Sequence, residues 1–270
     1  MTISNTLGLI AGNGKFPFLF AQNAKRQNVK VIAAAIHGDT SPFLKLFVDQ
    51  LSWFKPGDLK KLFEFFQSQG VHQVIMAGQV NPKNLFNEHL QLDEESSRLL
   101  QALKERKADT IFTAVADQLK KFGMELLDST LLLKDYMAPK GTLSRRAPSL
   151  AELADIDFGL NIAKAMGALD VGQTVVVKEK AIVAIEAMEG TDRAILRGGQ
   201  IARQGAVVVK VSKPNQDFRF DVPVIGPRTI QTMRRCAASC IAVEAHKTLL
   251  IDRERCVKSA DDWGICIVGV

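Results

Sequence analysis

The first half of the chain alternates short apolar runs with amphipathic stretches. Leu7 to Ala11 is apolar and stops at Gly12. Pro17 suits a first helical position, which predicts a helix to about Gln27. Val29 to Ile36 and Leu51 to Phe54 read as strands, and Pro56 to Gln69 as an amphipathic helix closed by Gly70. Val71 to Ala77 is another strand, ending at Gly78, and Ala108 to Phe122 a further helix. Strands and helices in alternation predict a parallel sheet with helices on both faces. Ligands of such sheets sit beyond the carboxyl ends of the strands. That points to the loops Gly12–Lys15 and Gly78–Asn81.

The second half has another rhythm. Ser149 with Glu152 three residues on is the capping-box spacing that opens a helix, predicted over Leu150 to Gly167. Gln173 to Lys178, a turn at Glu179-Lys180 and Ala181 to Ala187 form a predicted hairpin. A helix over Thr191 to Arg203 follows, then strands over Ala206 to Ser212 and Phe218 to Val222. A helix over Thr229 to Ser239 and strands over Cys240 to Val243 and Thr248 to Ile251 finish the sheet. The expected class is α/β overall. A parallel-sheet domain over residues 1–137 is followed by a Pro-, Gly- and charge-rich linker over 138–148. An α+β domain with a mixed sheet fills 149–270.

Composition sharpens this division. Residues 1–135 hold 12 of the 15 Phe but 3 Arg, whereas 136–270 hold 3 Phe and 11 Arg, so two different cores are expected. The chain of 270 residues is 47% hydrophobic and 24% charged, an ordinary globular composition that excludes disorder as the main state. Its net charge of +6 is spread out, with no basic run that would form a nucleic-acid arm. The basic balance suits a small anionic ligand or a lipid surface. Cys236, Cys240, Cys256 and Cys266 form no CxxC and are expected as buried free thiols of a reducing compartment. His37, His72, His89 and His246 lack ligand spacing. No leader-like segment and no run of about 18 apolar residues is seen. The aromatic-rich helix around Phe63, Phe65 and Phe66 reads as core; Phe65 and Phe66 are adjacent and cannot fully share one stripe, so some exposed apolar surface for lipid or a partner is the alternative.

Three segments carry candidate chemistry. Ala11-Gly12-Asn13-Gly14 is a glycine loop that can bring N–H groups onto a phosphate. Pro17 stands where the dinucleotide fingerprint needs its third glycine, and Phe16 where a nucleoside-triphosphatase loop needs Ser or Thr. The bland reading is a tight strand-to-helix turn. Asp217-Phe218-Arg219-Phe220-Asp221, read as a strand, turns both Phe to the core and Asp217, Arg219 and Asp221 to the other face. Two carboxylates flanking a guanidinium suit a divalent cation and an anionic substrate. Compensated charges on an exposed strand are the bland alternative. Glu186, Glu189, Gly190, Thr191 and Asp192 gather hard oxygen ligands of the kind Mg²⁺ or Mn²⁺ takes, though Thr191 or Asp192 also suits an N-cap. Together these segments point to metal-assisted chemistry on a phosphate.

The residues Leu169-Asp-Val-Gly-Gln173, Glu186–Asp192, Lys213-Pro-Asn-Gln-Asp217 through Asp221, and Pro223-Val-Ile-Gly226-Pro227 with Thr229 resemble the LpxI family. These are UDP-2,3-diacylglucosamine pyrophosphatases of lipid A biosynthesis in some Gram-negative bacteria. Leu7–Gly12 and Ala138-Pro-x-Gly141 are also similar, and Asn13 departs from a frequent glycine. The resemblance covers nearly the whole chain. It implies a Rossmann-like N-terminal domain and a C-terminal catalytic domain. It also implies a homodimer at the cytoplasmic face of the inner membrane that cleaves its substrate to 2,3-diacylglucosamine 1-phosphate (lipid X) and UMP. Water attacks the α-phosphorus in that family, with Mg²⁺ as the usual metal and Mn²⁺ the alternative. The family's essential aspartate corresponds to Asp221.

The candidate catalytic set is therefore Asp221, Asp217 and Thr191, with Asp221 as metal ligand or water-orienting group. Metal ligands are expected at Asp221, Glu186, Glu189 and Asp192. Substrate contacts are expected at Ala11, Gly12, Asn13, Gly14, Gly78, Gln79, Gly190, Thr191, Lys210, Lys213, Gln216 and Arg219. Two other readings remain. One is a non-catalytic lipid- or nucleotide-binding regulator, and the other a nicotinamide-dependent oxidoreductase.

Overall fold

The computed structural model describes residues 3–79, 91–103 and 108–270. Val80, Asn81 and His89 lie outside the described residues. The chain divides into two units. One comprises 1–133 with Asp217–Asp221, and the other Lys134–Gln216 with Val222–Val270.

In the first unit, β1 (Thr6–Ala11), β2 (Lys30–Ile36), β3 (Gln50–Phe54), β4 (Gln73–Ala77) and β5 (Glu125–Leu126) form one sheet in the order β3-β2-β1-β4-β5. Every pairing is parallel. Chain order reverses between β1 and β4, so the carboxyl ends of these two strands form the crevice where such sheets take ligands. Helices α1 (Phe16–Arg26), α2 (Leu59–Ser68), α3 (Glu94–Ala102) and α4 (Ala108–Lys121) complete the unit. Leu62, Phe63 and Phe66 of α2 are buried against Val74, Met76 and Leu119. Phe65 is half-buried and packs on Phe54 at 5.5 Å, so the helix is core as read, and the alternative of an exposed apolar surface does not hold there.

The second unit is built on a six-stranded mixed sheet. Its strands are β6 (Gly141–Thr142), β7 (Thr174–Lys178), β8 (Ala181–Ile185), β9 (Val207–Lys210), β11 (Cys240–Val243) and β13 (Cys266–Gly269). They run in the order β6-β13-β11-β9-β7-β8, with β9, β11 and β13 mutually parallel. Alternating side chains fill two cores. Val175, Val177, Val207 and Val209 face α5 (Leu150–Ala168) through Ile156 and Ala163. Val176, Val208, Ile241 and Ile267 face α6 (Thr191–Ala202), α7 (Pro227–Arg235) and α8 (Arg253–Asp262) through Ile195, Ile230, Met233 and Cys256. Sheets covered on both faces read as continuous apolar runs, which explains the valine triplets.

The predicted hairpin turn is present. Glu179 and Lys180 both have positive φ, 51° and 58°, as a two-residue turn of matching twist requires. Asp155 of α5 accepts from both turn N–H groups, at 3.0 and 2.6 Å.

Four expectations need correction. Phe218 to Val222 is a turn and not a strand, with the Asp221 N–H donating to the Asp217 carbonyl at 3.0 Å. The helix expected from Thr229 to Ser239 runs from Pro227 to Arg235. The strand that finishes the large sheet is β13. The Thr248–Ile251 run contributes β12 (Leu249–Leu250), which pairs instead with β10 (Val224–Ile225). Residues 138–148, read as a linker, sit inside the second unit. Ala138 is fully buried, and β6 pairs with β13. The four cysteines are buried and free, as expected.

That same segment supplies Arg146, whose guanidinium clasps Glu152 at 2.7 and 2.9 Å. Glu152 also accepts from Ser239 Oγ (2.6 Å) and from the Ser149 N–H (2.8 Å), completing the capping box. Burial lifts this carboxyl, but bonds from Arg146, Ser239 and Ser149 outweigh it and hold its pKa down at about 2. Glu244, bonded to Lys164, Lys247 and Ser212, is also held at about 2.

Glu152→Ala should cost about 2 kcal/mol in urea unfolding, a low figure for a broken pair because Arg146 is 35% exposed. Both carboxyls have depressed folded pKa values, so their contribution is complete above about pH 4.5. It fades as pH falls towards 2. Unfolding midpoints of the wild type should drop across that window, and those of a Glu152→Gln/Glu244→Gln variant should drop less.

Candidate functional site

At the carboxyl ends of β1 and β4 two loops pair backbone to backbone. The Asn13 N–H donates to the Gln79 carbonyl at 2.7 Å, and the Gln79 N–H to the Asn13 carbonyl at 3.1 Å. Gly12 N–H donates to Ala77 O at 2.8 Å. A Cβ on Gly12 would lie 2.7 Å from the Gln79 oxygen. One on Gly78, whose φ is +92°, would lie 2.5 Å from the Asn13 oxygen. Both glycines are thus required by loop-to-loop contact. Ala11 is buried and its carbonyl accepts from Thr40 Oγ1, while Gly14 turns at φ +93° with open space beside it.

The richest polar cluster lies in the second unit. Lys210, at the end of β9, is 5% exposed. Its Nζ donates to Thr191 Oγ1 (2.9 Å) and Thr174 Oγ1 (3.3 Å) and lies 3.7 Å from Glu186 Oε2. Thr191 Oγ1 in turn donates to Glu186 Oε1 at 2.8 Å. Glu186 Oε2 is buried, and among the described residues none donates a hydrogen bond to it, though the Lys210 ammonium is beside it. Gly190, at φ 83°, is the N-cap of α6, so Thr191 stands where helix N–H groups are unpaired. Asp192 reaches Arg228, in the first turn of α7, at 2.7 Å. Burial raises the Asp192 carboxyl, and Glu186 adds to this; Arg228 and Lys210 oppose it without cancelling it. Glu189 is bound by Arg197 at 2.6 Å. Burial lifts its carboxyl, but Arg197 and N–H donors bring it below the ordinary range.

The structure places Asp217, Arg219 and Asp221 with the first unit. The Ser129 N–H donates to Phe218 O at 2.9 Å, and Phe220 stacks on Phe112 at 5.5 Å. Asp217 and Arg219 pair with each other, at 2.7 Å from Nη2, and this pairing holds the Asp217 carboxyl below its ordinary range. Lys213 pairs with Asp170, and its N–H donates to Gln216 Oε1 at 2.8 Å.

Of the expected site residues, Glu186, Thr191 and Lys210 are brought into direct contact. Glu189, Asp192 and Asp217 are each turned to an arginine. A divalent cation needs several converging oxygen ligands, and no group of three acidic, His or Cys side chains among the described residues is placed to hold one. As arranged, the Glu186–Asp192 set does not fit a metal cage. Sequence reading missed Thr174, Arg197 and Arg228. Their role arises from tertiary pairing, and only Arg228, between Pro227 and Thr229 of the family-like run, carried any local signal.

The chain matches the family model of the LpxI N-terminal domain over residues 6–136 and that of the LpxI C-terminal domain over 139–268. A Caulobacter vibrioides protein named UDP-2,3-diacylglucosamine pyrophosphatase LpxI is 31% identical over 275 residues, spanning 98% of this chain and 97% of that protein. Among solved structures, the biotin carboxylase domain of Hydrogenobacter thermophilus 2-oxoglutarate carboxylase aligns with a TM-score of 0.29 at 11% identity, over 75% of this chain and 41% of that one. The biotin carboxylase subunit of a pyruvate carboxylase aligns at 0.27 and 10%, over 69% and 39%. This chain spans less than half of either structure, and such slight likeness bears on neither fold nor function. Two adjoining domain matches and a relative alike from end to end agree with the motifs at Glu186–Asp192 and Lys213–Asp221: the chain belongs to the LpxI family.

Proposed function

We propose that this LpxI-family hydrolase cleaves UDP-2,3-diacylglucosamine to 2,3-diacylglucosamine 1-phosphate and UMP. The observation that carries the reading is the end-to-end relation to a protein named for that substrate. Water adds to the α-phosphorus and the bridging oxygen leaves with the acylated sugar phosphate, so the uridine side keeps the new P–O bond. This is acid–base and charge-neutralisation chemistry on an anhydride that carries its own negative charge.

Lys210 supports the reading physically. It is a buried ammonium at the mouth of a helix N-terminus, two features that both favour a phosphoryl oxygen. Thr191 and Glu186 fix its direction, as a preorganised donor requires. Asp221 is the proposed essential carboxylate, as metal ligand or as the group that orients water. Mg²⁺, with Mn²⁺ as the alternative, is the proposed cofactor on the family's pattern. Homodimerisation and attachment to the cytoplasmic face of the inner membrane belong to the same proposal. No helix among the described residues is long and apolar enough to cross a membrane.

Purified protein should release UMP from UDP-2,3-diacylglucosamine. EDTA should abolish release and added Mg²⁺ restore it; turnover undiminished by the chelator removes the metal from the mechanism. Asp221→Asn should lower kcat by at least ~100-fold while substrate still raises the melting temperature. Retained turnover would overturn its assignment. Lys210→Met should lower kcat/KM by roughly 100-fold, the scale of one lost electrostatic donor. A drop in melting temperature with unchanged kcat/KM would show a purely structural lysine.

A further inference from the structure

The crossover from β2 to β3 is made by a short 3₁₀ turn, Pro42–Leu46, in place of a full helix. Its residues divide sharply. Leu44 is fully buried, whereas Phe43 is 69% and Leu46 is 74% exposed. Phe47, next along, packs edge-on against Phe18 of α1 at 5.4 Å. The body of the turn is therefore anchored while two large apolar side chains stand out in water. Lys45, between them, is exposed. Leu46, Phe47 and Val48 share a depression of about 290 Å³ with Lys25 and Lys30, which are also exposed. The acid at this place, Asp49, is committed to the Val31 N–H at 2.8 Å.

An anchored tip of Phe and Leu set among lysines matches the interface of a bilayer carrying anionic headgroups. The apolar tips enter the acyl boundary, and the cations are drawn to the surface potential. A protein partner fits less well. Two side chains on a projecting turn cover far less than the roughly 1,000 Å² that a stable protein interface needs. We propose that the Pro42–Phe47 turn is a membrane anchor, with Phe43 and Leu46 inserted at the surface of an anionic bilayer and Lys25, Lys30 and Lys45 against its headgroups. Vesicle binding stands apart from the proposed reaction; only the activity comparison below rests on it.

The full chain is sedimented with vesicles of phosphatidylcholine alone or mixed with phosphatidylglycerol. Wild type should pellet with the mixed vesicles and much less with the neutral ones. Phe43→Ala/Leu46→Ala, which leaves Leu44 and the Phe18–Phe47 contact intact, should lower partitioning about tenfold. Lys25→Gln/Lys30→Gln/Lys45→Gln should abolish the preference for anionic lipid. Phe43→Trp, which keeps an aromatic at the tip, should show blue-shifted emission and quenching by brominated lipid when mixed vesicles are added.

Wild type left in the supernatant, or a double variant that pellets like wild type, overturns the anchor. So does self-association that depends on Phe43 and Leu46 in sedimentation velocity without vesicle binding, which would assign the tip to a protein contact. With substrate in detergent micelles the double variant should keep kcat and KM, while with substrate in vesicles its KM should rise about tenfold. Absence of turnover in every protein would sink the hydrolase reading and leave the vesicle result standing.

Discussion

A charge taken out of water must find partners in the protein, and the second unit is organised around that requirement. Glu152 meets it by joining three pieces of chain: the Arg146 segment, the N-terminus of α5 and the approach to β11. Lys210 meets it by drawing in Thr174, Thr191 and Glu186 from β7, the start of α6 and the end of β8. The two groups differ in completeness. Glu152 is saturated by donors, whereas the Lys210 cluster retains an acceptor oxygen with none among the described residues. A saturated network serves architecture. An unsaturated one leaves an acceptor for a group that carries a hydroxyl or N–H donor.

Pairing of opposite charges recurs through the candidate residues. Glu189 with Arg197, Asp192 with Arg228, Asp217 with Arg219 and Lys213 with Asp170 are each matched locally. In this arrangement each acid is neutralised by a protein cation beside it, within its own unit.

What could be read from the sequence follows from the range of the forces involved. Local signals held. Ser149 and Glu152 form the capping box that their spacing announced, and Glu179-Lys180 make the hairpin turn. The β1 and β4 loops face one another at the reversal of strand order, as alternating strand and helix patterns required. Alternation misled at Phe218 and Phe220. Their period of two comes from a turn in which Phe220 stacks on Phe112 and the Asp217 side chain takes Arg219 for itself. Residues 138–148 carried loop composition, yet Ala138 and Arg146 are tied into the second unit by partners more than ninety residues away. Strand β13, only four residues long, gave too brief an apolar run beside Trp263-Gly264 to be singled out. Of the candidate site, the residue types at 186–192 and 210 were legible, but their partners at 174, 197 and 228 were set by the fold alone.

The segment Asp217–Asp221 packs with the first unit although its flanking residues belong to the second. The Ser129 N–H and the Phe112 ring therefore acquire their native neighbours only from a stretch made more than eighty residues later. During synthesis on a ribosome, the five strands of the first sheet emerge well before this stretch, and only the contacts at Ser129 and Phe112 must wait for it. A cut after Leu133 would leave those contacts unmade for good. The first unit is thus completed by a stretch of chain that lies, in sequence, inside the second.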